Sequence, residues 1–248
     1  MPYRVFGVDE VAQYLHLGRA DIEHLVNNRE IPFEKVGDRL VFRKVSLDAW
    51  ASRRILGLEG RGLTEYHQKA SQNTRSVRAR EAILPDLINP GFIDSALPAK
   101  TKASVIREMV QLAVSTGRVN DAKALRLGIE EREGLCSTGL PGGLALLHTR
   151  QPDIYLVELP FIVLARTIQK IPFGSPDGGP TNLFFLLGTP DDRLHLHTLA
   201  RICLMAQKTQ MLESLRSAVD AQVMFQALLD AEVEVLPRNG KGETEIRD

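Results

Sequence analysis

Cysteine is nearly absent: Cys136 and Cys203 are the only two in 248 residues. They form no CxxC pair and no even-numbered framework, which argues against a disulfide scaffold or a structural zinc site and makes two reduced, buried thiols the expectation. Net charge is missing as well, with 31 basic residues against 31 acidic ones. That balance excludes a polybasic nucleic-acid coat or an acidic decoy, so any such role must sit in a local patch. No stretch approaches the roughly 18 apolar residues of a membrane span, and the opening MPYRVFGVDEVA lacks a basic segment followed by an apolar core and a small-residue cleavage site. The expectation is a soluble, cytoplasmic protein. No internal repeat or low-complexity tract is visible. What is present is a composition of ordinary globular kind, 44% hydrophobic and 25% charged, sufficient for one large domain or two smaller ones.

Along the chain, Val8, Val11, Ala12 and Leu15 recur at helical spacing, and Ile22, Leu25 and Val26 do so again. The Gly-containing turn His16-Leu17-Gly18-Arg19 between them has the length that joins the helices of a helix-turn-helix unit. Ile31 to Phe42 reads as a small hairpin turning at Gly37-Asp38, and Ser46 is a candidate cap for a helix carrying Leu47 and Trp50. Trp50 and Phe42 read as core. From about Gly57 to Arg80 apolar periodicity fades, and Arg53, Arg54, Arg61, Lys69, Arg75, Arg78 and Arg80 outnumber Glu59 and Glu65, as in a solvated basic tether. Beyond Ile83, helices are expected over residues 100–116 (ending at Gly117) and 121–133 (capped by Asn120, ending at Gly134), then over 194–207, 210–217 and 220–229. Apolar runs at 144–147, 160–165 and 183–187 read as strands buried on both faces.

The stretch VDEVAQYLHLGRADIEHLVNNREIPFEKVGDRLVFRKVSLDAW resembles the excisionase-type, MerR-related winged helix-turn-helix, with its V-x-E-V-A-x-x-L-like opening and terminal Leu-x-x-Trp. The resemblance implies a recognition helix over 19–27 that offers Arg19, His24 and Asn27 to double-stranded DNA, and a wing whose Lys35, Arg39, Arg43 and Lys44 contact phosphates. Members usually have Gly where Arg29 stands, so Asn28 is expected to supply the positive φ. Asp21 and Glu23 leave the recognition helix nearly neutral, and a lone module of this kind binds weakly. A homodimer or the basic linker would make up the difference.

The sharpest constellation is REGLCSTGLPGGLALLHTR, residues 132–150: a Ser-Thr-Gly turn, paired glycines, one apolar strand and His148 at its end. His195 and His197 follow at the start of a helix. Taken alone, these residues leave open a metal site, general acid-base chemistry, a phosphohistidine, or simply a structural hydrogen bond. Metal is disfavoured by the lack of HExxH or a Cys cluster, and Ser-His-Asp hydrolysis by the lack of GxSxG. From roughly Leu84 to Leu229, however, the chain resembles the type 2, fructose/mannitol-class IIA domain of the bacterial phosphoenolpyruvate:sugar phosphotransferase system, most like its nitrogen-regulatory branch. The R-E-x-x-x-S-T-G stretch at 132–139, GG-x-A-x-x-H ending at His148, F-G-x-x-D-G-x-P at 173–180, and H-L-x-x-L-A-R-I from His195 stand in family order.

The resemblance implies His148 as phosphoryl acceptor, His195 as the partner that hydrogen-bonds the phosphate, Arg132 as a nearby cation, and Ser137, Thr138 and Gly139 as phosphate-positioning residues. His197 would be a bystander. No metal or cofactor is called for. The family generally has Pro before the acceptor, where Leu147 stands here, which leaves the angle of His148 open. The whole then reads as an α/β protein. A winged helix-turn-helix (1–56) and a flexible basic linker (57–81) precede a IIA-like phosphocarrier domain (82–238), a small mixed sheet flanked by helices, and a polar tail (239–248). Its expected role is to accept a phosphoryl group from the histidine phosphocarrier protein and couple it to DNA binding. The alternatives are a sugar-import IIA component donating to a separate IIB protein or regulated target, and a DNA-binding factor with a non-phosphorylated IIA relic.

Overall fold

The computed structural model describes residues 5–15, 17–58, 60, 62–64, 66, 82–150, 153 and 155–236. Strand β1 (Val5–Phe6) leads into helices α1 (Val8–Leu15) and α2 (Arg19–Asn27), a hairpin of β2 (Glu34–Val36) and β3 (Arg39–Arg43), and helix α3 (Lys44–Gly57). The helical repeat gathers Val11, Ala12 and Leu15 of α1 and Ile22, Leu25 and Val26 of α2 around Phe42, Leu47 and Ile55. The hairpin turns at Gly37-Asp38, with Val36 paired to Arg39 and Gly37 at φ 63°, the sign that a tight two-residue turn requires. The β1 strand was not foreseen. It adds to the free edge of β3, and two residues are too few to show an alternation.

Two local expectations are corrected. The positive φ after α2 belongs to Arg29 (φ 55°), whereas Asn28 is right-handed at φ −82°. Glu30 N–H bonds the Leu25 carbonyl at 2.9 Å and Arg29 N–H that of Val26 at 3.0 Å. This double closure places the left-handed residue one position past the cap. Ser46 caps nothing, because β3 runs straight into α3 with Arg43 at the N-cap.

The second part comprises α4 (Leu84–Leu87), β4 (Ile93–Leu97), α5 (Lys102–Ser115), α6 (Ala122–Leu135), β5 (Gly139–Leu140), β6 (Leu144–His148), β7 (Phe161–Ile171), β8 (Thr181–Gly188), α7 (Asp192–Lys208), α8 (Met211–Ser217) and α9 (Ala221–Val235). One mixed sheet runs β4-β7-β8-β6-β5, with β4/β7 and β6/β8 parallel and the other pairs antiparallel. This is the α/β architecture expected of the sequence. Strand alternation separates two cores. Leu144, Leu146, Leu183 and Phe185 face the side of α7, α8 and α9, and Ala145, Leu147, Phe184 and Leu186 face that of α5 and α6.

Thr101 and Asp121 cap α5 and α6 by accepting the N–H groups of Ser104 at 3.1 Å and Ala124 at 2.9 Å. Asn120, the expected cap, instead donates to the Tyr155 carbonyl, and Gly134, the expected stop, lies inside α6. Strand β4 was not foreseen, since its sequence IDSAL mixes polar with apolar residues, as an edge strand can.

The two parts meet along α3 and α7. Lys44, opening α3, pairs with Asp192, opening α7, at 2.8 Å. Beyond the far end of α3, Gln207 Nε2 donates to the Leu58 carbonyl at 2.9 Å and Gln207 Oε1 accepts from Gly60 N–H at 3.1 Å. Start meets start and end meets end, so the helices run parallel, and one apolar core spans both parts. Part of the expected linker is packed: Leu63 and Tyr66 are buried in that core. Residues 67–81 of the linker and the tail at 239–248 lie outside the described residues.

Arg201 of α7 and Glu232 of α9 form a wholly buried ion pair at 2.7 Å. The same carboxylate accepts the N–H groups of Ile83 at 2.8 Å and Leu84 at 3.0 Å, tying the start of the second part to its last helix. Glu232→Ala removes the carboxylate that the buried Arg201 guanidinium and the Ile83 and Leu84 N–H groups share and is expected to cost about 3 to 5 kcal/mol, read by urea denaturation. Arg29→Gly removes the penalty of a left-handed side-chain-bearing residue and is expected to stabilise by about 1 kcal/mol in the same assay.

Candidate functional site

Strand β6 ends on His148, whose ring shares the α7 side of the sheet with Leu144 and Leu146 by the two-residue repeat. Leu147, which stands where Pro was expected, is wholly buried on the opposite side. Strand β5 pairs with β6 only at Leu144 and Ala145. The edge beside His148 is therefore open to the last turn of α6, which brings Arg132. Arg132 Nε donates to His148 Nε2 at 3.1 Å. On the other side of the ring, His148 Nδ1 lies 2.8 Å from the Leu146 carbonyl oxygen. A carbonyl can only accept, so the proton sits on Nδ1 and the lone pair on Nε2. His195, in the first turn of α7, packs its ring 5.1 Å from that of His148, tilted by 56°. Arg132 Nη1 bonds the Cys136 carbonyl at 3.0 Å, while Nη2 is buried with no partner among the described residues. That unused cationic donor is suited to an anion.

Both imidazoles are uncharged near neutral pH. Burial pushes His148 well below the ordinary histidine value, helped by the nearby His195 and Arg132, against the Leu146 hydrogen bond. Burial also lowers His195, to about 4, with the positive charges of Arg132 and Lys44 adding to it. The site thus holds a neutral nucleophilic nitrogen, a second neutral imidazole and a fixed cation.

The Ser137-Thr138-Gly139 turn does not join them as expected. Thr138 N–H and Oγ1 both donate to the Glu133 carboxylate, at 3.1 and 2.7 Å. Gly139 N–H is taken by Ser137 Oγ at 3.0 Å, and that hydroxyl donates to the Phe173 carbonyl at 2.6 Å. These donors bind the turn to α6 and to the 173–175 loop, where Gly174 at φ 92° passes so close that a Cβ would lie 3.1 Å from Ser137 Cβ. Reading from sequence overlooked Glu133, a buried carboxylate that also pairs with Lys102 at 2.8 Å. Its signal was an acidic residue five positions before a threonine in the quoted stretch. His197 lies near Arg201, at 3.4 Å.

On the helix-turn-helix, Arg19, His24, Asn27, Lys35, Arg39 and Arg43 are exposed. Arg19 is paired with Asp9 at 2.6 Å and Glu23 at 2.8 Å, and Arg43 with Glu34 at 2.6 Å. Surface pairs of this kind are worth at most about 1 kcal/mol, so phosphates can displace them. Lys44 is a correction. It is held between Asp48 at 2.9 Å and Asp192 at 2.8 Å, facing α7 and not a nucleic acid.

A three-stranded helix-turn-helix unit, packed beside a mixed sheet with a buried histidine at a strand end, defines the class: a helix-turn-helix joined to an α/β domain. Residues 86–231 match the family described as the phosphoenolpyruvate-dependent sugar phosphotransferase system, EIIA 2, and residues 5–55 match a helix-turn-helix domain. The first match covers more than half of the chain, and the protein belongs to the EIIA type 2 family. It is 31% identical over 147 residues to the nitrogen regulatory protein of Bradyrhizobium diazoefficiens, across 58% of this chain and 94% of that one. With the nitrogen regulatory protein of Pseudomonas aeruginosa it shares 26% over 151 residues, 60% of this chain and 96% of that one. The structure of nitrogen regulatory protein IIA-Ntr from Neisseria meningitidis superposes with a TM-score of 0.54 at 23% identity, over 59% of this chain and 99% of that one, a likeness of fold. Among the described residues no cluster of His, Cys, Asp and Glu is arranged to hold a metal ion, and no helix is long and apolar enough to cross a membrane.

The neutral histidines carry a pH dependence. His195 has its folded pKa lowered to about 4, against about 6.5 in an unfolded chain. As pH falls the unfolded chain takes the proton first, so the contribution is complete above the unfolded value and is lost through that window, about 3 kcal/mol in all. His148 acts in the same direction. Urea midpoints are expected to drop between about pH 7 and about pH 4, and His195→Gln to flatten the drop.

Proposed function

We propose that the protein is a regulatory phosphocarrier of the phosphotransferase system, accepting a phosphoryl group on His148 Nε2 from the histidine phosphocarrier protein and coupling that state to DNA binding by its helix-turn-helix. The observation that carries this reading is the hydrogen bond from His148 Nδ1 to the Leu146 carbonyl. It turns a neutral, lone-pair-bearing Nε2 toward Arg132 and fixes the ring without a metal.

In the transfer, Nε2 attacks the phosphorus of the donor's phosphohistidine. A new P–N bond forms as the donor P–N bond breaks, and its electron pair returns to the donor imidazole. Arg132 Nε releases the ring nitrogen and, with the unpartnered Nη2, turns to the phosphoryl oxygens. His195 donates a further hydrogen bond once its neutral tautomer has the N–H on that side. Positioning and charge stabilisation are most of what such a step needs. Kinship with two nitrogen regulatory proteins favours a regulatory role, and the exposed Arg19, His24, Asn27, Lys35, Arg39 and Arg43 supply the surface for DNA.

Incubation with phosphoenolpyruvate, enzyme I and the histidine phosphocarrier protein is expected to add the mass of one acid-labile phosphoryl group to the wild type and none to His148→Ala. Arg132→Gln is expected to slow the addition by on the order of 100-fold. Absence of any gain in the wild type would leave a DNA-binding factor on a IIA scaffold.

A further inference from the structure

Arg132, His148 and His195 are only 2%, 1% and 5% exposed. A protein donor must bring its phosphorus to about 3 Å from Nε2, which the closed site does not allow, so part of the protein has to move. The element against the first turn of α7 is the N-terminal module. Asp192 and His195 stand three residues apart on that turn, on one helix face, and Asp192 is held by Lys44 at 2.8 Å. Lys44, its side chain 17% exposed, is also held by Asp48 at 2.9 Å, whose other oxygen accepts the Tyr14 hydroxyl. The seam is held differently at its two ends, by an ion pair at one and by amide–backbone hydrogen bonds at the other. Near Lys44 it leaves a cleft of about 260 Å³ between Phe6, Glu10, Tyr14 and Lys44 on one side and Asp191 and Asp192 on the other. At the far end, beside a cleft of about 330 Å³ between Leu56 and Gly60 on one side and Leu140 and Cys203 on the other, Gln207 clasps the backbone of Leu58 and Gly60, and Leu63 belongs to the shared apolar core.

We infer that the N-terminal module is a lid over the acceptor histidine, latched by Lys44 between Asp48 and Asp192 and hinged at the Gln207 end, and that phosphoryl transfer to His148 requires the latch to open. This rests on the acceptor reading given above. The Lys44 end of the seam is the one nearest the histidines, and a single ammonium there bridges two carboxylates that would otherwise repel one another. A phosphoryl group on His148 adds nearly two negative charges and the bulk of three oxygens to a buried site. The docked lid and the phosphorylated site therefore disfavour one another, and coupling of this kind is reciprocal. Docking leaves the exposed α2 and wing residues accessible, so what phosphorylation changes is the orientation and freedom of the module, and Lys44 is the positioning residue that ties the two.

The test uses the full chain and diethyl pyrocarbonate, which acylates accessible neutral imidazoles, with peptide mass spectrometry reading each histidine. In the wild type, His148 and His195 are expected to react far more slowly than exposed His24. Lys44→Gln and, separately, Asp192→Asn are expected to speed both by about tenfold, equivalent to about 1.4 kcal/mol of opening, while Glu108→Gln on α5 changes nothing. Phosphoryl uptake, followed in parallel, is expected to quicken in the two latch variants. Unchanged acylation in both latch variants, or a wild-type His148 as reactive as His24, overturns the lid. Unchanged acylation with normal uptake does so while upholding the acceptor. Faster acylation with no uptake in any variant upholds the lid and overturns the acceptor reading.

Discussion

Burial of α7 between the mixed sheet, α9 and α3 takes His195 and Arg201 out of water together, and each has to be compensated inside the protein. The two are compensated differently. Arg201 keeps its charge because Glu232 meets it at 2.7 Å, whereas His195, which forms no ion pair with a carboxylate among the described residues, gives up its charge instead. The same burial that makes the helix a structural keel thereby sets the protonation state of the histidine that it delivers to the site.

His148 follows the same logic from the strand side. Its backbone belongs to β6, in register with Leu187 of β8, and its ring is pinned by a carbonyl two residues earlier in its own strand. Strand, carbonyl and ring form a rigid unit in which only one nitrogen can react. Arg132 reaches that nitrogen around the sheet edge because β5 stops short. An anion arriving there finds donors already dehydrated, the condition under which charge stabilisation is strongest. The Ser-Thr-Gly turn supports this from behind: the Thr138 N–H and hydroxyl are spent on Glu133 and the Ser137 hydroxyl on Phe173, which keeps the end of α6, and so Arg132, in place.

The helix-turn-helix is an element of the same core and not an appendage. Its α3 shares apolar residues with α7, and Lys44, one of the two lysines that a wing-centred reading assigns to DNA phosphates, faces Asp192 instead. Because surface pairs on Arg19 and Arg43 are weak, the exposed α2 and wing face stays free to exchange partners while the α3 face is committed.

Much of the architecture was legible in the residues. Helical repeats placed α1 and α2, the Gly37-Asp38 turn placed the hairpin, and runs such as Leu144 to Leu147 marked strands buried on both faces, because period and polarity are local properties. The order of motifs around Arg132, His148 and His195 marked the histidine site. Strands β1 and β4 escaped notice because each is held by a neighbour, not by its own alternation. The αL position fell on Arg29 and not Asn28 because a double carbonyl closure across six residues selects it. The tautomer of His148, the spent donors of Thr138, the inward turn of Lys44 and the packing of Leu63 were decided by tertiary structure alone. Each depends on a partner distant in sequence or on the geometry of a finished strand end, and a burial or a hydrogen bond of that kind has no signature in the order of the residues that make it.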